Sequence, residues 1–336
     1  MTNDQWRPQF RLVRSFVRFS IGIWKLDLGI SLGFGIWTLG FSIWLLGFLG
    51  ALLVSTGCEK STNPATQPAV RTVASLVPAA TDLIIGMGAR ERLLAVSTYD
   101  RQRPDVAGLP RVGDYQNVDW EQLQSLHPIV MMIQIKKDRL PAGFQERADA
   151  LHIQLVDVAI DRLADIVGTL DVLGQALDLP EQAKTAKEQM QSRLDAVAAG
   201  VAGRKPISTL LVLDESADAV VGPDTYLDEI LQLAGGVNAA KSLGQRYPQI
   251  DREMLLSLKP DVIIQLLPDA SQQVKDRAAD TWKQLPQIPA VAAGRVYTID
   301  NWYALLPGWH VTDLAEQFAQ CLHPSTPASL SRPIAP

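Results

Sequence analysis

The chain has 336 residues, 47% of them hydrophobic and 20% charged, enough for two domains of ordinary size. Of its 31 basic and 36 acidic side chains, five and two lie in residues 1–57, which leaves 26 and 34 for the rest; an acidic body repels phosphate backbones and argues against nucleic acid as a partner. Two cysteines, Cys58 and Cys321, exclude a disulfide framework and a cysteine-rich zinc site.

Residues 1–57 read as a signal or transmembrane leader. From Leu28 to Val54 there is no charged residue, a run long enough to cross a hydrocarbon core as a helix. Arg7, Arg11, Arg14 and Arg18 precede it, so the N-terminus is expected in the cytoplasm and the remainder on the extracytoplasmic, periplasmic face. The run ends in "VSTGCEK", which resembles a lipobox whose cysteine, here Cys58, receives a lipid. Ser55 stands where leucine is commonest in that pattern, and an uncleaved leader is the alternative anchor. Residues 58–69 are polar and proline-punctuated, a flexible tether.

The body follows as an N-terminal lobe over 70–160. Strands are expected at 71–77, 93–97, 127–134 and 153–158, with helices after Val77 and over 141–151. Strands alternating with helices at short spacing predict a parallel α/β sheet. Over 161–204 strand signals vanish, and apolar residues recur at helical spacing: Leu163, Ile166, Val167, Leu170 and Leu173, then Ala183, Ala186, Met190 and Leu194. Pro180 fits the first turn of one long helix, 180–200. A C-terminal lobe over 205–323 repeats the α/β pattern, with strands at 207–213, in "PDVIIQLL" and at 295–299, a helix over 225–236 and an amphipathic helix at the end. Cys321 in that last helix reads as a small buried hydrophobe. Residues 324–336 lack the apolar content to order themselves. The fold class is therefore α/β, two Rossmann-like lobes joined by a single long helix, with a ligand cleft between the lobes.

One unit is written twice. "YQNVDWEQLQSLHPIVMM" begins at Tyr115 and "YPQIDREMLLSLKPDVII" at Tyr247, with eight of eighteen positions identical; unrelated segments would share roughly one. Asp119 and Asp251 are placed to cap a helix, and Glu121 and Glu253 fall in its first turn. An acid there stabilises a helix by about 0.3–1 kcal/mol, which would explain either glutamate alone. Two at matched places on two lobes also form a pair that a symmetric partner could grip through arginines. Tyr115 and Tyr247, each six residues upstream, would offer flat apolar surface to a large planar ligand across a cleft, or serve as buried lobe tyrosines.

Over residues 70–323 the chain resembles the substrate-binding proteins of ABC importers for cobalamin, ferric siderophores and haem, a group whose lobes are joined by one long helix. The resemblance rests on "TVASLVPAATDLIIGMGA" continuing to "VGDYQNVDWEQLQSLHPIVMM", then "VVGPDTYLDEILQLAGGVNAA", "YPQIDREMLLSLKPDVII" and "DNWYALLPG". Within the group the pattern is most similar to the cobalamin binders. It implies ligand-binding aromatics at Tyr99, Tyr115, Tyr247 and Trp302, with tyrosine where tryptophan is usual at Tyr115 and Tyr247. It further implies that Glu121 and Glu253 dock on an importer permease dimer that works with its ATPase.

The ligand implied is a corrinoid, with no cofactor or metal of the protein's own. Ferric siderophores are an alternative, since Arg101, Arg103 and Arg111 are expected on cleft-side loops. Haem is another, with His310 or Tyr99 as axial ligand. A membrane-anchored enzyme is the alternative of another class. Against it, no nucleophile elbow, metalloprotease helix, phosphate loop or dinucleotide fingerprint is present, and the four histidines are scattered. A module that binds only proteins would need no aromatics facing the gap.

Overall fold

The computed structural model describes residues 70–100, 104–136 and 139–324. The leader, the tether, Cys58, Arg101 and Arg103, and the tail from 325 lie outside them. The N-terminal lobe consists of β1 (Val73–Ser75), α1 (Pro78–Gly86), β2 (Leu93–Ala95), α2 (Trp120–Leu126), β3 (Val130–Ile133), α3 (Phe144–Ala150) and β4 (Gln154–Asp157). Its four strands are parallel, in the order β2-β1-β3-β4. Pro78 ends the run of β1 early, because a proline at the first helical position starts α1 there.

Two helices follow, α4 (Leu163–Leu177) and α5 (Pro180–Val201). They form an antiparallel hairpin, with Asp171 paired to Lys187 and Gly174 seated on Ala183. A side chain at Gly174 would fall 2.5 Å from Ala183 Cβ, so the close approach at the turn requires glycine. The 22 residues of α5 span about 33 Å, and this is the long helix that carries the chain to the second lobe.

The C-terminal lobe holds β5 (Ile207–Val212), α6 (Tyr226–Leu233), β6 (Gly236–Asn238), α7 (Arg252–Leu258), β7 (Val262–Leu266), α8 (Gln272–Lys283), α9 (Pro289–Ala292), β8 (Val296–Ile299) and α10 (Val311–Leu322). Its strand order, β6-β5-β7-β8, is that of the first lobe, again all parallel. The duplicated segments are α2–β3 and α7–β7, at the same place in each lobe. The expected helix over 225–236 ends at Leu233, because Gly235 takes φ +87° and Gly236 opens β6.

The core explains how the lobes hold together. On β3, Val130 and Met132 face one apolar cluster while Met131 and Ile133 face another; on β7, Ile264 and Ile263 divide the same way. One face of each sheet thus packs into a cluster private to its lobe. The other joins a single cluster that runs through α1, α4, α5, α6 and α10 and includes residues of both lobes, from Leu83 to Phe318. Pulling the lobes apart would expose buried side chains at about 1.5–3 kcal/mol each. Cys321 packs at the edge of this cluster, and burial pushes its thiol pKa up to about 11. No helix among the described residues is long and apolar enough to cross a membrane.

Candidate functional site

In each lobe the strand order reverses beside the first strand, between β1 and β3 and between β5 and β7. Parallel α/β sheets bind ligands beyond the carboxyl ends of their strands at such points. A cavity of 390 Å³ lies there, walled by Pro78 after β1, Gln134 after β3, Leu213 after β5, Tyr226 at the start of α6, and Tyr247. A second cavity of 190 Å³ shares Pro78, Leu305 and Leu306 with it and is walled by Tyr99, Asp100 and Trp302. Three of the four expected aromatics therefore line two adjoining cavities at the junction of the lobes.

Each aromatic has its own support. Trp302 stands edge-on to Tyr303 and to His310, at 5.4 and 4.8 Å, and Tyr303 stacks on His310 at 4.6 Å. The Tyr303 hydroxyl accepts the Gln317 side-chain N–H at 2.8 Å, which fixes the group to α10. Tyr247 is 50% exposed, and burial of the rest of its ring raises its pKa. Beside it, Arg246 donates to the Asp161 carbonyl at 3.2 Å and pairs with the Asp161 carboxylate at 3.6 Å. Tyr99 is 68% exposed.

Tyr115 is not in the wall of either cavity. It is 43% exposed, and its hydroxyl accepts from Gln116 Nε2 at 3.2 Å. Its loop is nonetheless joined to that of Tyr99, because the Gly113 carbonyl accepts the Thr98 N–H at 3.0 Å and the Ser97 hydroxyl at 3.2 Å. Asp114 accepts the N–H groups of Asn117 and Gln116 at 2.9 and 2.8 Å; these bonds, with a further one from the Tyr99 phenol, hold its pKa below the usual carboxylate range.

The two copies of the repeat match in detail. Asp119 accepts the Gln122 N–H at 2.9 Å and Asp251 accepts the Met254 N–H at 2.8 Å, so both cap their helices as the sequence implies. His127 and Lys259 close the two helices in the left-handed conformation, with φ 51° and 45°. Glu121 and Glu253 are exposed in the two first turns. The loops carrying the tyrosines are pinned alike. A Cβ at Gly113 would fall 1.8 Å from the Asn117 carbonyl oxygen, and one at Gly222 would fall 1.8 Å from that of Gln245.

Beside the cavities further contacts hold the lobes and the connecting helices together. His310, the N-cap of α10, donates its backbone N–H to Asp82 on α1 and holds Nδ1 3.0 Å from both Asp82 oxygens. Glu229 on α6 accepts Arg162 Nε and the Leu163 N–H, each at 2.6 Å, and so caps α4 from the C-terminal lobe. These contacts bear on the alternatives for the ligand. Arg111 donates to the carbonyls of Ser97, Asp100 and Thr98, so its guanidinium serves the loop that carries Tyr99. His310 is engaged by Asp82 and by the Tyr303 ring. Tyr226, Leu305 and Leu306 are cavity residues that the sequence reading did not single out, since only the crossing of the two lobes brings them together.

A family model described as periplasmic binding protein matches residues 73–303. The chain belongs to that family. It is 27% identical over 226 residues to the vitamin B12-binding protein of Yersinia pestis, covering 67% of this chain and 78% of the relative. It is 28% identical over 200 residues to that of Vibrio cholerae, covering 58% and 70%. Among solved structures, the periplasmic haem-binding protein HutB of Vibrio cholerae superposes with a TM-score of 0.66 at 24% identity, covering 76% of this chain and all of that one. The periplasmic vitamin B12-binding protein BtuF of Vibrio cholerae gives 0.61 at 23%, covering 75% and 96%. Both likenesses establish the two-lobed fold.

Proposed function

We propose that this protein is the extracytoplasmic substrate-binding component of an ABC importer, capturing cobalamin or a related corrinoid and handing it to the membrane permease. The observation that carries the reading is the pair of adjoining cavities at the lobe junction, walled by Tyr99, Tyr247 and Trp302. Tyr115, on the loop bonded to that of Tyr99, would complete the aromatic set. Aromatic faces suit a large, largely uncharged corrin ring, each contact contributing about 0.5–1.5 kcal/mol beyond area burial. The curated relatives named for vitamin B12 support this ligand over the siderophore and haem alternatives. So do the engagement of Arg111 by backbone carbonyls and of His310 by Asp82.

Glu121 and Glu253, exposed on equivalent helices of lobes 70–160 and 205–323, are the docking acids for the two permease subunits. Cys58, lipidated, or the uncleaved leader holds the protein at the membrane. Ligand enters between the lobes, the lobes close slightly, and the importer's ATPase supplies the energy for release. The shared core and the contacts beside the cavities keep that closure small. Calorimetric titration of the full-length chain in detergent with cyanocobalamin, a ferric siderophore and haemin tests the reading. Tight binding of cyanocobalamin supports it; binding of only one of the others overturns the ligand.

A further inference from the structure

Tyr226 is the first residue of α6, 5% exposed, and its ring forms part of the wall of the 390 Å³ cavity. Its hydroxyl is buried and has no hydrogen-bond partner among the described residues. The polar groups around it are satisfied. Thr225 accepts the Asp228 N–H at 3.1 Å, and Asp228 accepts Gln232 Nε2 at 2.7 Å and Asn238 Nδ2 at 3.0 Å. A buried hydroxyl left unpaired destabilises the fold, whereas phenylalanine would fill the same space without that cost. An unpaired polar atom in the wall of a binding cavity is accounted for when the ligand supplies the partner.

We propose that the Tyr226 hydroxyl is a specificity-determining donor of this cavity, given to a neutral carbonyl oxygen of the ligand such as a rim carboxamide of a corrinoid. The inference rests on the corrinoid reading above. Three features define the acceptor. Burial, with the nearby Tyr247 phenol, raises the Tyr226 pKa well above the ordinary tyrosine range, so the group is a protonated donor at physiological pH. Tyr247 belongs to the same wall and is half exposed, so a ring stacked on it lies in the cavity that Tyr226 also lines. Finally, among the described residues the wall includes Asp161, already paired with Arg246 at 3.6 Å, and no lysine or arginine. A carboxylate on the ligand would find no cation in that wall to offset its burial, and an amide needs none. A site built to hydrogen-bond one group discriminates strongly against analogues that leave its own polar atom unpaired.

The test compares the wild-type chain with Tyr226→Phe, both full length in detergent, by thermal unfolding without ligand and by calorimetric titration with cyanocobalamin and with haemin, whose rim carries carboxylates. The substitution should leave the unfolding midpoint unchanged or raised and weaken cyanocobalamin about tenfold, with haemin affinity the same in both proteins. Equal cyanocobalamin affinities, a parallel fall for haemin, or a lowered midpoint would each overturn this inference and leave the corrinoid reading standing. Failure of the wild-type chain to bind cyanocobalamin would overturn both.

Discussion

The fully buried carboxylate of Asp82 lies 3.0 Å from Nδ1 of His310, a residue 228 positions away in the opposite lobe. The contact is tightly framed. A Cβ at Gly308 would fall 2.5 Å from an Asp82 oxygen, and one at Gly86 would fall 2.2 Å from the Trp309 ring. The α1 helix of one lobe is thereby clasped by the 308–310 segment of the other, next to Trp302. Asp82→Ala takes away the acceptor of the His310 backbone N–H and the group facing its Nδ1, and a lost hydrogen bond to a charged group costs about 1.5–3 kcal/mol. Asp82→Ala should lower the unfolding free energy by that amount in urea titrations. A loss under 1 kcal/mol would show that the clasp contributes little.

The glycines under the tyrosine loops make a second expectation. Gly113 has φ +92°, so alanine there adds backbone strain to its clash with Asn117 and should cost at least ~1 kcal/mol. Alanine at Gly222 should cost about 1–3 kcal/mol through overpacking against Gln245. Gln245 is two residues before Tyr247, so Gly222→Ala should also weaken ligand binding. Unchanged affinity in calorimetry would separate the loop from the site.

Asp214, after β5, shares a hydrogen bond with Asp218, and burial first, then that neighbour, pushes its pKa up to about 6. The folded state therefore holds this proton more tightly than the unfolded chain, whose value is near 3.8. The stabilising contribution of the proton is present below about pH 4 and is lost as pH rises through 6. Asp214→Asn keeps a neutral group at all pH values. It should raise the thermal midpoint at pH 8 and leave it unchanged at pH 4; a loss at pH 8 would contradict the raised pKa.

Replacing Glu121 and Glu253 together by alanine removes two acids that each stabilise a helix start by about 0.3–1 kcal/mol. The protein should stay folded and bind its ligand as before, while co-purification with its permease is abolished. Loss of ligand affinity instead would place these residues in the site.

The sequence carries the duplication because it is local. Capping aspartates, first-turn glutamates and the strands after them lie within eighteen residues, and the structure returns them in equivalent places. The α8 helix was not legible for the converse reason. Only Ala278 and Trp282 of its twelve residues are buried, too few to write an apolar stripe. The three residues of β6 are hidden behind the glycines that end α6. Most of what defines the cavity is non-local: Tyr226 looks like any aromatic opening a helix until the lobes are crossed, and no spacing pairs Asp82 with His310. Tyr115 shows the opposite limit. The repeat makes it the twin of Tyr247, yet its loop reaches the cavity through that of Tyr99, where the Gly113 carbonyl accepts the Thr98 N–H at 3.0 Å.

The most direct measurement is a calorimetric titration of cyanocobalamin into the full-length chain and into its Tyr247→Ala and Trp302→Ala variants. One ligand spanning both cavities requires a stoichiometry of one, with each substitution weakening affinity about tenfold or more. Two independent sites, or affinity indifferent to both substitutions, would contradict a single corrinoid held between the lobes.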